Sequence, residues 1–352
     1  MRAPRFWQSG GASWPCLLLA PVGALYDAVT RWRFARVASV KAPIPVICVG
    51  NLTAGGSGKT PAALAIAAML RAKGYRPAFL SRGYGGSEAG PLLVDPSCHS
   101  AAKVGDEPLL LAANGPAIVS RDRVAGLGEA LRIGADAVVM DDGLQNPSLA
   151  KTVGLAIVDG EAGIGNGRVI PAGPLRARLD FQFSLADAVI VVGSGEAGED
   201  VAARARARGI PVFAARLDGA ADHGLAGRKL VAFAGIGRPE KFFASLAATG
   251  AEVVARRSFG DHHVYSERDC AGLLALARQT GAELMTTTKD LARLGAGTAP
   301  SQRAVADKTK TLPVELRFKD GGEFERFVLA RLAMPAAGNA SQSAPAPDAV
   351  SR

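Results

Sequence analysis

A lysine and a threonine behind a run of glycines, with paired aspartates farther along the chain, make a set of side chains suited to phosphate chemistry. The stretch GNLTAGGSGKTP, residues 50–61, follows the apolar run IPVICVG and leads into TPAALAIAAMLRAKGY, which reads as a helix stopped by Gly74. A loop between a buried strand and a helix aims its backbone N–H groups and the helix's positive end at a phosphate. Thr53, Ala54, Gly55, Gly56, Ser57, Gly58, Lys59 and Thr60 form the expected cradle. Lys59 would reach the β- and γ-phosphates of a nucleoside triphosphate, and Thr60 would place its hydroxyl on Mg²⁺. Such loops usually begin with glycine, where this chain has Thr53. Thr53 must therefore adopt a backbone conformation open to ordinary residues, with Gly55, Gly56 and Gly58 supplying the side-chain-free part.

A nucleotide site needs an acid at the end of a neighbouring strand. ADAVVMDDGLQN delivers Asp141 and Asp142 at the C-terminal end of an apolar run, where open α/β sheets bind their ligands. Adjacent carboxylates repel, and Mg²⁺ is the simplest reason to keep both; either could be the direct ligand. KVGDEPLLLA sets Asp106 and Glu107 before a helix-like run, and SRGYGG and residues 165–180 are glycine-rich loops at strand ends. Substrate groups collect on such loops. Arg82, Arg123 and Arg176 are candidates for bidentate phosphate contacts.

The elements that must position these groups are strands alternating with helices. Short apolar runs at PAFLS, AIVS, ADAVVMDD, GLAIVD, DAVIVVG and PVFAARL predict an α/β fold, a parallel sheet covered on both faces. After a polar stretch at 218–229, the runs LVAFAGIG, AEVVARRSF, AELMTTTKD and LPVELRF outline a second, smaller α/β unit. The expected organisation is an N-terminal helix over 1–38, a phosphate-loop domain over 39–218, a second domain over 219–333 and a disordered, low-complexity tail over 334–352. In the first segment, Leu18, Val22, Leu25, Val29 and Trp32 recur at helical spacing, with Asp27, Thr30 and Arg31 off that stripe. Pro15, Pro21 and Asp27 interrupt it too often for a span, which needs about 20 apolar residues. A helix lying on a membrane surface is the favoured reading, against one packed on its own protein. A secretory leader is disfavoured by the nucleotide loop that follows.

The chain has 352 residues and a formal net charge of +9, which favours an anionic partner. Nucleic acid is not that partner: there is no paired-cysteine spacing, RNA-binding aromatic signature or lysine-rich run. Cys16, Cys48, Cys98 and Cys270 give neither a disulfide framework nor metal spacing, which points to a reducing compartment.

NLTAGGSGKTP, SRGYGG, GDEP, DDGLQ, GNGRVIPAGPLR, AGIGRPEKFF, DHHVY and TTTKD occur in this order from about residue 14 to residue 330. In order and approximate spacing they resemble the tetraacyldisaccharide 4′-kinase family of the lipid A pathway. The resemblance implies ATP as donor and an acylated glucosamine disaccharide 1-phosphate as acceptor, giving lipid IVA. It also implies a peripheral enzyme on the anionic cytoplasmic face of the bacterial inner membrane. By motif register Asp106 is similar to the family's proton-accepting carboxylate and His262 to its partner, with His263 adjacent. Glu107, Asp141 and Asp142 are similar to its acidic metal surroundings. The chain departs from the pattern at Leu144 and Asn146, where phenylalanine and histidine are usual. A membrane-cycling switch ATPase is the rival reading, but its loop carries a lysine where this chain has Ala54.

Overall fold

The computed structural model describes residues 4–8, 13–56, 58–219, 224–295 and 299–333; Ser57 of the expected cradle and the expected tail 334–352 lie outside them. Each apolar run identified in the sequence forms a strand: β1 (Val46–Asn51), β2 (Pro77–Ser81), β4 (Ala117–Val119), β5 (Ala137–Asp141), β6 (Val153–Asp159), β7 (Ala188–Val192) and β8 (Val212–Gly219). β3 (Leu92–Leu93) is too short to leave a periodic signal. With β13 (Val314–Phe318) they build one nine-stranded sheet in the order β13-β8-β7-β6-β1-β5-β2-β4-β3. Apart from β3 and β13, which pair antiparallel at the two edges, neighbouring strands run parallel.

Both faces of this sheet are covered by separate buried clusters, one around Ile47, Ile66 and Phe79 and the other around Cys48, Leu80 and Met140. That two-sided burial is why the strands read as continuous apolar runs instead of alternating ones. The first strand lies between β5 and β6, so the chain leaves it in both directions. A crevice opens at such a switch point beyond the C-terminal ends of the strands.

A second sheet, β10-β9-β11-β12, comprises β9 (Lys229–Ala234), β10 (Glu252–Ser258), β11 (Glu283–Thr286) and β12 (Thr309–Thr311). LPVELRF was expected to belong to it, within a unit running to residue 333. Instead β13 pairs antiparallel with β8, Leu316 opposite Leu217. The closing helix Gly321–Ala333 buries Phe324 and Val328 in the core of the large sheet. Phe324 stacks on Phe318 at 3.8 Å between ring centroids and meets the Phe213 ring edge-on at 5.2 Å. These rings cover an apolar sheet edge that would otherwise stand bare. The chain therefore crosses between the units twice.

Among the described residues the N-terminal segment forms a short 3₁₀ turn, Arg5–Trp7, and the α-helix Trp14–Arg36. Its inner face is Cys16, Gly23 and Asp27. A Cβ on Gly23 would lie 2.9 Å from the Val169 carbonyl, so only glycine permits this approach. Asp27 accepts the Arg178 backbone N–H at 2.7 Å and the Arg31 guanidinium at 2.9 Å. The apolar stripe faces the other way: Leu18, Val22, Leu25, Val29 and Trp32 are 47–66% exposed. No helix among the described residues is long and apolar enough to cross a membrane.

Candidate functional site

The phosphate loop is braced from two sides. Thr53 pairs in extended conformation with Leu175, Ala54 donates its N–H to the Pro174 carbonyl at 2.7 Å, and Arg176 donates to the Leu52 carbonyl at 3.0 Å. Thr53 therefore replaces the usual glycine without strain, because its role is strand-like pairing. Gly55 and Gly58 carry the positive φ values, +116° and +91°, that side chains rarely adopt. The Asn51 side chain holds the Gly55 carbonyl at 2.6 Å, and Gln145 holds the Asn51 carbonyl at 2.9 Å. The helix Lys59–Ala72 starts directly after Gly58, with Lys59 and Thr60 buried in its first turn.

Parallel pairing of Val49 with Asp141 brings the acid pair beside this loop. The Thr60 hydroxyl donates to Asp141 Oδ2 at 3.2 Å, while Asp141 Oδ1 is buried with no partner among the described residues. Burial, and then the Glu107 charge, push the Asp141 carboxyl up to about 7. An orphaned carboxylate oxygen beside a threonine hydroxyl fits a hard cation such as Mg²⁺. No group of three or more acidic, histidine or cysteine side chains among the described residues could hold an ion alone. Asp142 behaves differently. It sits at φ +61° and pairs with Arg176 through both oxygens, at 2.6 and 2.9 Å. Lys59 Nζ lies 3.5 Å away. Against the burial that would raise it, Lys59 and then Arg176 hold the Asp142 carboxyl below its usual range.

The two units meet at the acids of the helix Asp106–Ala112. His262 Nδ1 lies 3.1 Å from Asp106 Oδ2, and Arg293 Nε donates to the same oxygen at 2.7 Å. Glu107 accepts from Lys289 Nζ at 2.8 Å. Burial opposes ionisation of Asp106, but His262 and Arg293 outweigh it and lower its pKa. The hydrogen bond to Asp106 raises that of His262. Arg293 also donates to Asp290 Oδ1 and to the Gly235 carbonyl, both at 3.0 Å. Asp290 is fully buried and accepts from Tyr265 and from the Gly235 N–H besides. A second contact between the units joins Arg238 and Lys241 to Asp159 at the end of β6, at 2.9 and 3.0 Å.

The neighbouring histidines separate by geometry. His263 bonds Asp269 at 3.0 Å and stacks on Phe259, within the network that caps the helix Glu267–Thr280. It does not reach Asp106. Of the candidate arginines, Arg82 is exposed, whereas Arg123 differs from the expected phosphate-facing placement. Arg123 is 2% exposed and donates to the Ser120 and Asp142 carbonyls, so it supports the Asp142 turn from beneath. Arg176 likewise turns onto Asp142. Leu144 is core, packed under Gly50, and Asn146 is a turn residue that accepts from Ser148. Lys289 and Arg293 were not singled out from the sequence. The TTTKD stretch was its nearest signal.

The chain matches the family model for tetraacyldisaccharide-1-P 4′-kinase over residues 15–333. A tetraacyldisaccharide 4′-kinase of Methylobacterium nodulans is 54% identical over 322 residues, covering 91% of this chain and 93% of the relative. One from Methylobacterium radiotolerans is 52% identical over 335 residues, covering 95% of this chain and all of the relative. Among solved structures, LpxK from Aquifex aeolicus in complex with ATP superposes with a TM-score of 0.70 at 25% identity, covering 90% of this chain and 99% of that one.

Proposed function

The chain belongs to the tetraacyldisaccharide-1-P 4′-kinase family, and from that premise we propose the part each residue of the cleft plays. The protein is an ATP-dependent kinase of lipid A biosynthesis that phosphorylates the 4′-hydroxyl of a lipid disaccharide. The acceptor we assign is the tetraacylated glucosamine disaccharide 1-phosphate. The observation that carries the site reading is the 3.1 Å contact between Asp106 and His262, which come from different units and meet at the start of a helix packed on the helix Lys59–Ala72 that follows the phosphate loop. Both His262 and Arg293 use Oδ2 of Asp106. Oδ1, to which no hydrogen bond is made among the described residues, accepts the proton of the attacking hydroxyl, as a positioned general base must.

Lys59 sits in the first helical turn, where it neutralises charge on the migrating phosphoryl group. Thr60 and the open oxygen of Asp141 would hold Mg²⁺, which would supply charge neutralisation to the phosphates. Glu107 borders that position. Asp142 has both oxygens engaged, so it positions Lys59 and the loop through Arg176. Arg82, exposed at the strand end, is the remaining candidate for the lipid phosphate. Transfer of labelled phosphate from ATP to the lipid disaccharide tests this reading. Release to water at the same rate without lipid would mark an ATPase instead.

The enzyme works peripherally at the cytoplasmic face of the inner membrane, with the outer stripe of the helix Trp14–Arg36 set into the lipid boundary. That stripe faces away from the protein, and Arg33 and Arg36 in the last turn add attraction to anionic headgroups. Replacing Leu18, Leu25 and Val29 by serine is expected to weaken binding to anionic vesicles by at least ~10-fold, since each loses apolar area that lipid would cover. The melting temperature should hardly move, because exposed substitutions usually cost within ~0.5 kcal/mol. Vesicle co-sedimentation decides: unchanged partition would show that the stripe does not touch lipid.

A further inference from the structure

Among the described residues, Lys59, Arg176, Lys289 and Arg293 each form an ion pair with one of the carboxylates Asp106, Glu107 and Asp142, and three of these four cations are accounted for. Arg176 spends its fork on Asp142. Arg293 donates to Asp106, Asp290 and the Gly235 carbonyl. Lys59 belongs to the phosphate loop. The fourth is Lys289, whose one hydrogen-bond partner among the described residues is Glu107 at 2.8 Å. An ammonium group has three N–H donors and no acceptor. Holding Glu107 leaves donors over, in a cleft built for phosphate.

Placement gives those donors a direction. Lys289 lies in the first turn of the helix Thr288–Gly295, which packs on the helix Asp106–Ala112. Its side chain is about a third exposed, on the side of Glu107. Lys289 and Arg293 stand one turn apart on their helix and bond the adjacent acids Glu107 and Asp106, so the ammonium group lies next to the general base, and its charge also bears on Asp141, the Mg²⁺ acid. The phosphoryl group must pass between those two points.

We propose that Lys289 is a second phosphate-directed cation of the transfer site. Anchored through one N–H by Glu107, it donates another to an oxygen of the phosphoryl group moving from ATP to the sugar hydroxyl. Because Lys289 belongs to the smaller unit, this contact exists only while the units are docked. Nucleotide binding and unit docking are thereby coupled through the terminal phosphate. The inference rests on the reading that the Lys59 loop holds ATP.

The test compares affinities for ADP and for β,γ-methylene ATP, by displacement of a fluorescent nucleotide in the presence of Mg²⁺. Lys289→Met is expected to weaken the triphosphate analogue about 10-fold and ADP less than about 2-fold, the loss of one charge-assisted hydrogen bond to the terminal phosphate. Turnover should fall by roughly 10²–10³-fold, as when one donor to a developing charge is removed. Lys289→Gln keeps a bond to Glu107 without the charge and must show the same split. If Lys289 serves only as counter-ion to Glu107, the double variant Lys289→Met/Glu107→Gln restores wild-type discrimination between the nucleotides. That restoration, or equal losses for ADP and the analogue, overturns the proposal. Lys59→Ala measured alongside keeps the two readings apart. Undiminished nucleotide binding there removes the loop assignment itself, whereas a normal Lys59 result with no Lys289 split removes only this inference.

Discussion

Lys59→Ala is expected to leave a folded protein that no longer transfers phosphate, with turnover down by on the order of 10³-fold or more. The argument starts from position. Gly58 turns the chain with φ +91° and Lys59 opens the helix, so its ammonium group is delivered to the place where backbone N–H groups converge. Lys59 is 8% exposed, and within the cleft its charge is screened far less than a surface lysine's would be. The fold should survive the substitution, because Asp142 keeps its two bonds to Arg176. Thr60→Ala should act through the metal. It removes the hydroxyl beside Asp141 but leaves Asp141 in place, so raising Mg²⁺ should recover part of the activity. Steady-state transfer, read beside the melting curve, checks both. Near wild-type turnover in folded Lys59→Ala would remove the loop from the mechanism.

Legibility followed the range of the interactions. The phosphate loop, the acid pair and the strand pattern are local, because strand, turn and helix signals sit within a few residues of the groups they carry. The stripe on the helix Trp14–Arg36 was readable for the same reason. Which side it faces was not, since that depends on Gly23 meeting Val169 and Asp27 meeting Arg178 far along the chain. The return of β13 to the large sheet was equally hidden: LPVELRF looks like any strand, and only the apolar edge beside β8 decides its partner. Arg123 was a candidate phosphate ligand only because a guanidinium can grip phosphate with two N–H groups. Here Ser120 and Asp142 carbonyls draw it under the turn. Lys289 and Arg293 acquire meaning only once Glu107 and Asp106 stand opposite them. Asp106 and His262 were paired in advance by motif resemblance, since no spacing rule links positions so far apart.

Asp106→Ala and His262→Ala are each expected to lower kcat by ~10²–10⁴-fold, with much smaller changes in the KM for ATP. The loop proposed to hold the nucleotide lies in the large unit, whereas His262 arrives from the smaller one. Losing either partner therefore harms the chemical step more than nucleotide binding. If the two work as one unit, the double variant should be little worse than the poorer single variant, since such losses do not add. Ionisation gives an independent readout. His262 has its pKa raised above the ordinary imidazole value of 6.5 by its bond to Asp106, so the contribution of its charged form is complete below that value and is lost as pH climbs through the raised one. Asp106, lowered from 3.8 by His262 and Arg293 against burial, contributes above its ordinary value and fails only as pH falls through the lowered one. The charged pair thus exists between the lowered carboxyl value and the raised imidazole value, and its alkaline limit belongs to His262. The rate profile should carry an ionisation above the ordinary imidazole range that disappears in His262→Ala, while Arg293 still holds Asp106 in place. Additive losses in the double variant, or an alkaline limb that persists without His262, would leave Asp106 to act as base alone and reduce His262 to a contact between the units.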